Sequence, residues 1–122
     1  MPRYVLETLN DRKAKYKELN FSGVREVIKD LDVLYMTRVQ KERFPETPDG
    51  MYDYEKAISI YSLSKELLKE VKPEFKIMHP LPRINEIPYE VDETPYAYYF
   101  EQAGNGVPVR QAILSLVLGR CL

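Results

Sequence analysis

Phe75-Lys76-Ile77-Met78-His79-Pro80-Leu81-Pro82-Arg83 is the stretch whose reading decides the fold. Its aliphatic-aromatic opening, Phe75 to Met78, reads as a buried strand. Pro80 and Pro82 then stand at the strand's carboxyl edge, where each fixes φ at about −65° and removes a backbone donor. The carbonyls there are held rigidly and stay out of any sheet ladder. A stiff rim of unpaired acceptors is a binding feature.

Outward from this strand, the pattern alternates. Leu31 to Met36 (Leu, Asp, Val, Leu, Tyr, Met) reads as a second strand, buried on both faces. Pro2 to about Arg12 carries Tyr4, Val5, Leu6 and Leu9 at helical spacing behind an N-terminal proline and is expected to be a helix. Ala14 to Leu19 alternates imperfectly, as a short edge strand would. Ser22 is the expected cap of a helix from Gly23 to about Asp30. Thr37 to about Met51, with Pro45, Pro48 and Asp49-Gly50, reads as a long polar loop, a kind of segment that is often functional. Helices are expected at Tyr52 to Ile58 and at Ser62 to Val71, the second capped by Ser62 or Ser64. A proline-rich excursion from Pro80 to Pro95 leads to the aromatic cluster Tyr96, Tyr98, Tyr99 and Phe100. Gly104-Asn105-Gly106 reads as a turn with positive φ that launches a last helix, Pro108 to about Leu118, ended by Gly119.

Helices alternating with strands indicate an α/β unit with a parallel sheet. In such sheets ligands sit outside the carboxyl ends of the strands. Thr37 and His79 each follow a strand directly, so both segments belong on that one rim.

Composition narrows the function. The 122 residues carry 18 basic and 19 acidic side chains, a net charge of −1. Without a block of like charge there is no footprint for nucleic acid or an anionic membrane. A single domain at most is expected. One cysteine, Cys121, permits no internal disulfide and fits a reducing cytosol; with one histidine, it makes a protein-only zinc centre improbable. Neither a signal-like amino terminus at Met1-Pro2-Arg3-Tyr4 nor an apolar run of about 20 residues is present. The expected partner is a small molecule or another protein.

Arg38 and Gln40 stand two positions apart where the strand passes into loop, which in extended backbone puts both on one side. A guanidinium fork and a primary amide on one face suit a carboxylate. An ordinary surface Arg beside a solvated Gln fits the same spacing. Glu42, four residues after Arg38, is placed to pair with it; Lys41-Glu42-Arg43 also reads as a plain charged loop face. Exposed ion pairs contribute only ~0–1 kcal/mol, so positioning is the better use for such a cluster. His79 reads as a structural imidazole bonded to backbone at a strand end. Arg83 and Glu86, three apart, read equally as a local surface pair. The glycines at 104 and 106 lack the lysine and spacing of a phosphate-binding loop.

Three segments, Met36-Thr37-Arg38-Val39-Gln40-Lys41-Glu42-Arg43-Phe44, His79-Pro80-Leu81-Pro82-Arg83 and Glu101-Gln102-Ala103-Gly104-Asn105-Gly106-Val107-Pro108-Val109-Arg110-Gln111, follow in this order. Together they resemble the carboxy-terminal, aspartate-binding part of the aspartate carbamoyltransferase catalytic chains, over nearly the whole sequence. Pro80 matters for subclass, because the ornithine-type relatives carry a cysteine there. The resemblance implies a partial Rossmann-like three-layer α/β unit with a short parallel sheet. Residues 1–106 would form an incomplete aspartate-binding domain, and 107–122 an interdomain helix that packs on a missing amino-terminal domain. It further implies that Arg38 and Gln40 hold the carboxylates of L-aspartate, that Glu42 orients Arg38, and that Arg43 bridges the domains on closure. The main-chain carbonyls of Pro80 and Leu81 would face the aspartate amine and the carbamoyl group. Arg83 and Glu86 would stabilise the closed loop and interdomain contacts. The family's catalytic histidine is a different residue, upstream. Tyr96 departs from the family, where histidine is common, and a few extra residues lie between Phe44 and Tyr52.

Such enzymes transfer a carbamoyl group from carbamoyl phosphate to L-aspartate in pyrimidine biosynthesis, without metal or other cofactor. They are cytoplasmic trimers that share sites between subunits and in some cases carry regulatory chains. The Ser-Thr-Arg-Thr phosphate-binding segment and the oxygen-polarising residues have no counterpart here. The chain alone is therefore expected to lack activity while carrying half of the aspartate site. Two alternatives remain open on sequence: a stand-alone dicarboxylate-binding module, and an interaction protein docking through Tyr96 to Phe100 and the last helix.

Overall fold

A computed structural model describes residues 2–19 and 21–120. Cys121 and Met1, on which two of the expectations above rest, lie outside the described residues. At the centre are two short strands, β1 (Val33–Tyr35) and β2 (Lys76–Met78), paired in parallel with Val33 opposite Lys76 and Tyr35 opposite Met78. Alternation along the strands puts Leu34 and Ile77 on one face, and Ile77 is fully buried. Phe75, Ile28, Leu63, Leu68, Ile87, Val91 and Tyr99 complete that core. Ile77 also bridges to Ala97, so β2 lies between β1 and the segment that follows the proline-rich excursion. The expected α/β unit with a short parallel sheet is what the chain forms.

The other face of β1 is open. Val33 is 48% and Tyr35 52% exposed, which corrects the expectation of a strand buried on both faces. Apolar composition does not bury a strand unless neighbours cover it, and the described residues cover this face only in part.

Helix α1 spans Arg3–Asp11, close to the range its periodicity indicates. It ends in a Schellman-type closure, with Lys13 at φ +52 and the Ala14 N–H bonded to the Leu9 carbonyl. Residues 14–19 form no strand: their side chains are exposed, and the described sheet pairs only β1 with β2. Helix α2 runs Phe21–Val27 and tightens into a 3₁₀ turn at Ile28–Asp30. It begins before Ser22, so that residue is not the cap.

Helix α3 is longer than the expected Tyr52 to Ile58, at Pro48–Tyr61. Thr47 caps it by accepting the Gly50 N–H at 3.1 Å, Pro48 fills the first turn, and Asp49 complements the helix dipole. Asp49-Gly50 therefore opens a helix instead of making a loop turn. Gly50 is buried, and a Cβ there would lie 2.1 Å from the Pro45 carbonyl oxygen. Where a helix was expected at Ser62 to Val71, only a 3₁₀ turn forms, Leu67–Glu70. Here long-range bonds win over local periodicity: the Leu63 N–H bonds to the Glu86 carbonyl, and Ser62 Oγ donates to the Asn85 carbonyl.

Helix α4 begins at Tyr99 and runs to Val117, so Gly104-Asn105-Gly106 is helical and has no positive φ. Glycine costs about 1 kcal/mol each in a helix, yet Tyr99, fully buried, and Gln102, bonded to both strand tips, anchor the first turn. Pro108 sits inside this helix, and the expected domain boundary after residue 106 falls within continuous helix. Gly119 ends it as expected, at φ +63, with the Gly119 and Arg120 N–H groups bonded to the Leu116 and Ser115 carbonyls.

Candidate functional site

The parallel register of β1 and β2 brings their carboxyl ends out side by side. The last rung runs from the Met36 N–H to the Met78 carbonyl at 2.8 Å. Beyond it the two chains diverge as Thr37-Arg38 and His79-Pro80. Between them lies a cleft of about 510 Å³, lined by Arg38, Gln40, Arg43, Pro80, Leu81 and their neighbours. Two guanidiniums and an amide line it, a donor set that suits an anion with acceptor oxygens.

Arg38 is half-buried, and its Nη2 donates to Glu42 Oε1 at 3.2 Å. The pair expected from the i, i+4 spacing is formed, and it aims the guanidinium more than it stabilises the fold. On the opposite wall, no hydrogen bond among the described residues uses the carbonyl of Pro80 or Leu81. Leu81 has φ +52, a left-handed conformation that costs an L-residue roughly 1–2 kcal/mol. The Leu81–Pro82 peptide is cis.

His79 is buried and bonded on every side. Its Nδ1 accepts the Leu81 N–H at 2.9 Å, its Nε2 meets Glu86 Oε1 at 2.8 Å, and its own N–H donates to Gln102 Oε1 at 2.9 Å. The carboxylate of Glu86, likewise buried, also accepts the N–H groups of Ile84 and Asn85. The reading of His79 as a structural imidazole on backbone matches this geometry.

Arg83 and Glu86 do not form the surface pair that their spacing allowed. Arg83 instead forks onto Asp92 and donates to the Tyr99 hydroxyl at 2.9 Å. Its guanidinium lies over the rings of Tyr89 and Tyr99, 4.7 and 5.3 Å from their centroids. The hydrogen bond from Arg83 holds Asp92 below the ordinary carboxylate range, and the same bond raises Arg83 further. Burial, aided by the bond to Asp92, pushes Tyr99 up to about 12. Tyr96, at the place where the family commonly has histidine, packs edge-on against Phe75 with centroids 6.0 Å apart.

Sequence reasoning missed Asp92, Tyr99 and Gln102. Gln102 lies within a quoted segment, but its partners, His79 and Tyr35, are remote in sequence; its Nε2 donates to the Tyr35 hydroxyl at 3.3 Å. Among the described residues no group of three or more His, Cys, Asp or Glu could hold a metal ion. No helix among them is long and apolar enough to cross a membrane.

The family described as aspartate/ornithine carbamoyltransferase, Asp/Orn binding domain, matches residues 4–117. A catalytic subunit of aspartate carbamoyltransferase from Staphylothermus marinus is 49% identical over 120 residues, covering 94% of this chain and 37% of its own length. Among solved structures, the catalytic subunit of M. jannaschii aspartate transcarbamoylase superposes with a TM-score of 0.81 at 40% identity, over 99% of this chain and 38% of that one. The Trypanosoma cruzi aspartate transcarbamoylase in complex with aspartate and phosphate gives a TM-score of 0.73 at 34% identity, over 93% of this chain and 37% of that one. The chain thus spans little more than a third of the length of these relatives.

Proposed function

Given that this chain belongs to the aspartate/ornithine carbamoyltransferase family, we propose that its cleft is the aspartate half-site of a carbamoyl-transfer centre. The observation that carries the reading is that Arg38, Gln40 and Arg43 line one cleft with Pro80 and Leu81, whose carbonyls take no hydrogen bond from the described residues. Arg38 and Gln40 hold the carboxylates of L-aspartate, and Glu42 fixes the angle of Arg38. The carbonyls of Pro80 and Leu81 receive the N–H groups of the attacking amine and of the carbamoyl group. Alignment of two substrates in a closed site is a large contribution to rate and needs no reactive side chain from this half.

Residues up to about 106 act as part of the aspartate-binding domain, and the exposed far half of α4, to Val117, packs on the carbamoyl-phosphate domain. Arg43 is the bridging residue on closure, and Arg83 and Glu86 support the closed loop. The complete assembly is a cytoplasmic trimer, in some settings with regulatory chains, that supplies N-carbamoyl-L-aspartate to pyrimidine synthesis. The chain alone is inactive.

Combining the chain with a separately produced carbamoyl-phosphate domain of a relative tests the reading. Transfer to L-aspartate should appear only in the mixture and fall roughly thirty- to hundredfold with Arg38→Ala, since a lost charge-assisted fork is worth about 2–3 kcal/mol. Activity untouched by that change would reject the assignment. A second reading is a stand-alone dicarboxylate module, in which Arg38, Gln40 and Arg43 together supply the donors for two carboxylates. Micromolar binding of L-aspartate to the isolated chain in calorimetry would support that module.

A further inference from the structure

We propose that His79 is a positioning residue whose neutral Nε2–H tautomer locks the left-handed turn at Leu81, presenting the Pro80 and Leu81 carbonyls to the cleft. The inference deepens the half-site reading above and rests on it. Nδ1 accepts a backbone N–H and so carries no proton, which places the ring proton on Nε2, facing Glu86. Glu86 accepts from that ring N–H and from the amides of Ile84 and Asn85, and has no proton to offer the ring. The carboxylate thus selects the tautomer, and the tautomer supplies the acceptor that the Leu81 N–H needs. One relay ties residues 79, 81 and 84–86 into a single unit. Without it, nothing else among the described residues accepts the Leu81 N–H, and the unfavourable φ would relax, swinging the adjoining carbonyls.

The test uses the full chain, in which His79 is the only histidine and its ring nitrogens are assigned without ambiguity. Long-range proton–nitrogen spectra should show the Nε2–H tautomer, with a nitrogen–nitrogen coupling between the Leu81 amide and Nδ1. The other tautomer, or no coupling, overturns the lock whatever the cleft binds. Succinate at millimolar concentration should shift the Pro80 and Leu81 carbonyl resonances in the unsubstituted chain. His79→Asn offers its amide oxygen near the place of Nδ1 and should keep succinate affinity within about threefold; His79→Gln reaches Glu86 but leaves Leu81 without an acceptor and should lose about tenfold. Equal affinities in the two variants also overturn the lock. Coupling with no response to succinate, either in the isolated chain or in its mixture with a carbamoyl-phosphate domain, overturns the half-site reading and, with it, the purpose assigned to the lock.

Discussion

Asp92 and Tyr99 meet on one guanidinium, and their opposite displacements give the fold two pH limits. Asp92 is held below its ordinary 3.8 by Arg83, so its contribution is whole above that value and vanishes as pH falls through the lowered one. Tyr99, raised from 10.0 to about 12 chiefly by burial, contributes fully below 10.0 and loses that as pH climbs towards 12. Urea midpoints measured against pH should fall at both ends, and Asp92→Asn should flatten the acid limb. A midpoint indifferent to pH on the acid side would contradict the assignment. At this scale the sequence was legible where partners are near neighbours: the Arg38–Glu42 pair follows from a spacing of four. Asp92, Tyr99 and Gln102 do not, because their roles depend on chain crossings, with Gln102 reaching a hydroxyl 67 positions away.

Helix boundaries obeyed caps and anchors before they obeyed glycine. Gly50 stands where a side chain would strike the Pro45 carbonyl, whereas Gly104 has open space around it. Gly50→Ala should therefore cost about 1–3 kcal/mol and displace the loop that carries Arg43. Gly104→Ala should gain roughly 0.4–1 kcal/mol, because alanine restricts the unfolded chain and meets nothing in the helix. Chemical denaturation of the two variants checks both signs. The strands were readable from composition and from the prolines after β2. The helix expected at Ser62 to Val71 was not, since its Leu63 N–H is claimed by the carbonyl of Glu86, far along the chain. Likewise Gly104-Asn105-Gly106 looked like a turn only because the hold of Tyr99 and Gln102 on the preceding turn is a tertiary fact.

As a whole molecule the chain buries one face of its sheet and leaves its last helix bare. Leu116 and Val117 are 67% and 77% exposed, and Val107, Val109, Ile113, Leu114 and Leu118 are exposed with them. Covering each such side chain is worth ~1.5–3 kcal/mol, so the isolated chain should associate as its concentration rises. Sedimentation velocity should detect this, and Leu116→Asp should shift the distribution towards monomer while leaving the helical circular dichroism intact. Sequence periodicity located this apolar helix but could not say which side of it is covered, because that depends on what packs alongside. Gln102 adds a mechanical consequence. It grips the tips of both strands from the buried root of a rod whose far half stands free. Displacement of that free half would therefore be felt first, through one amide, where the two strands end beside the cleft.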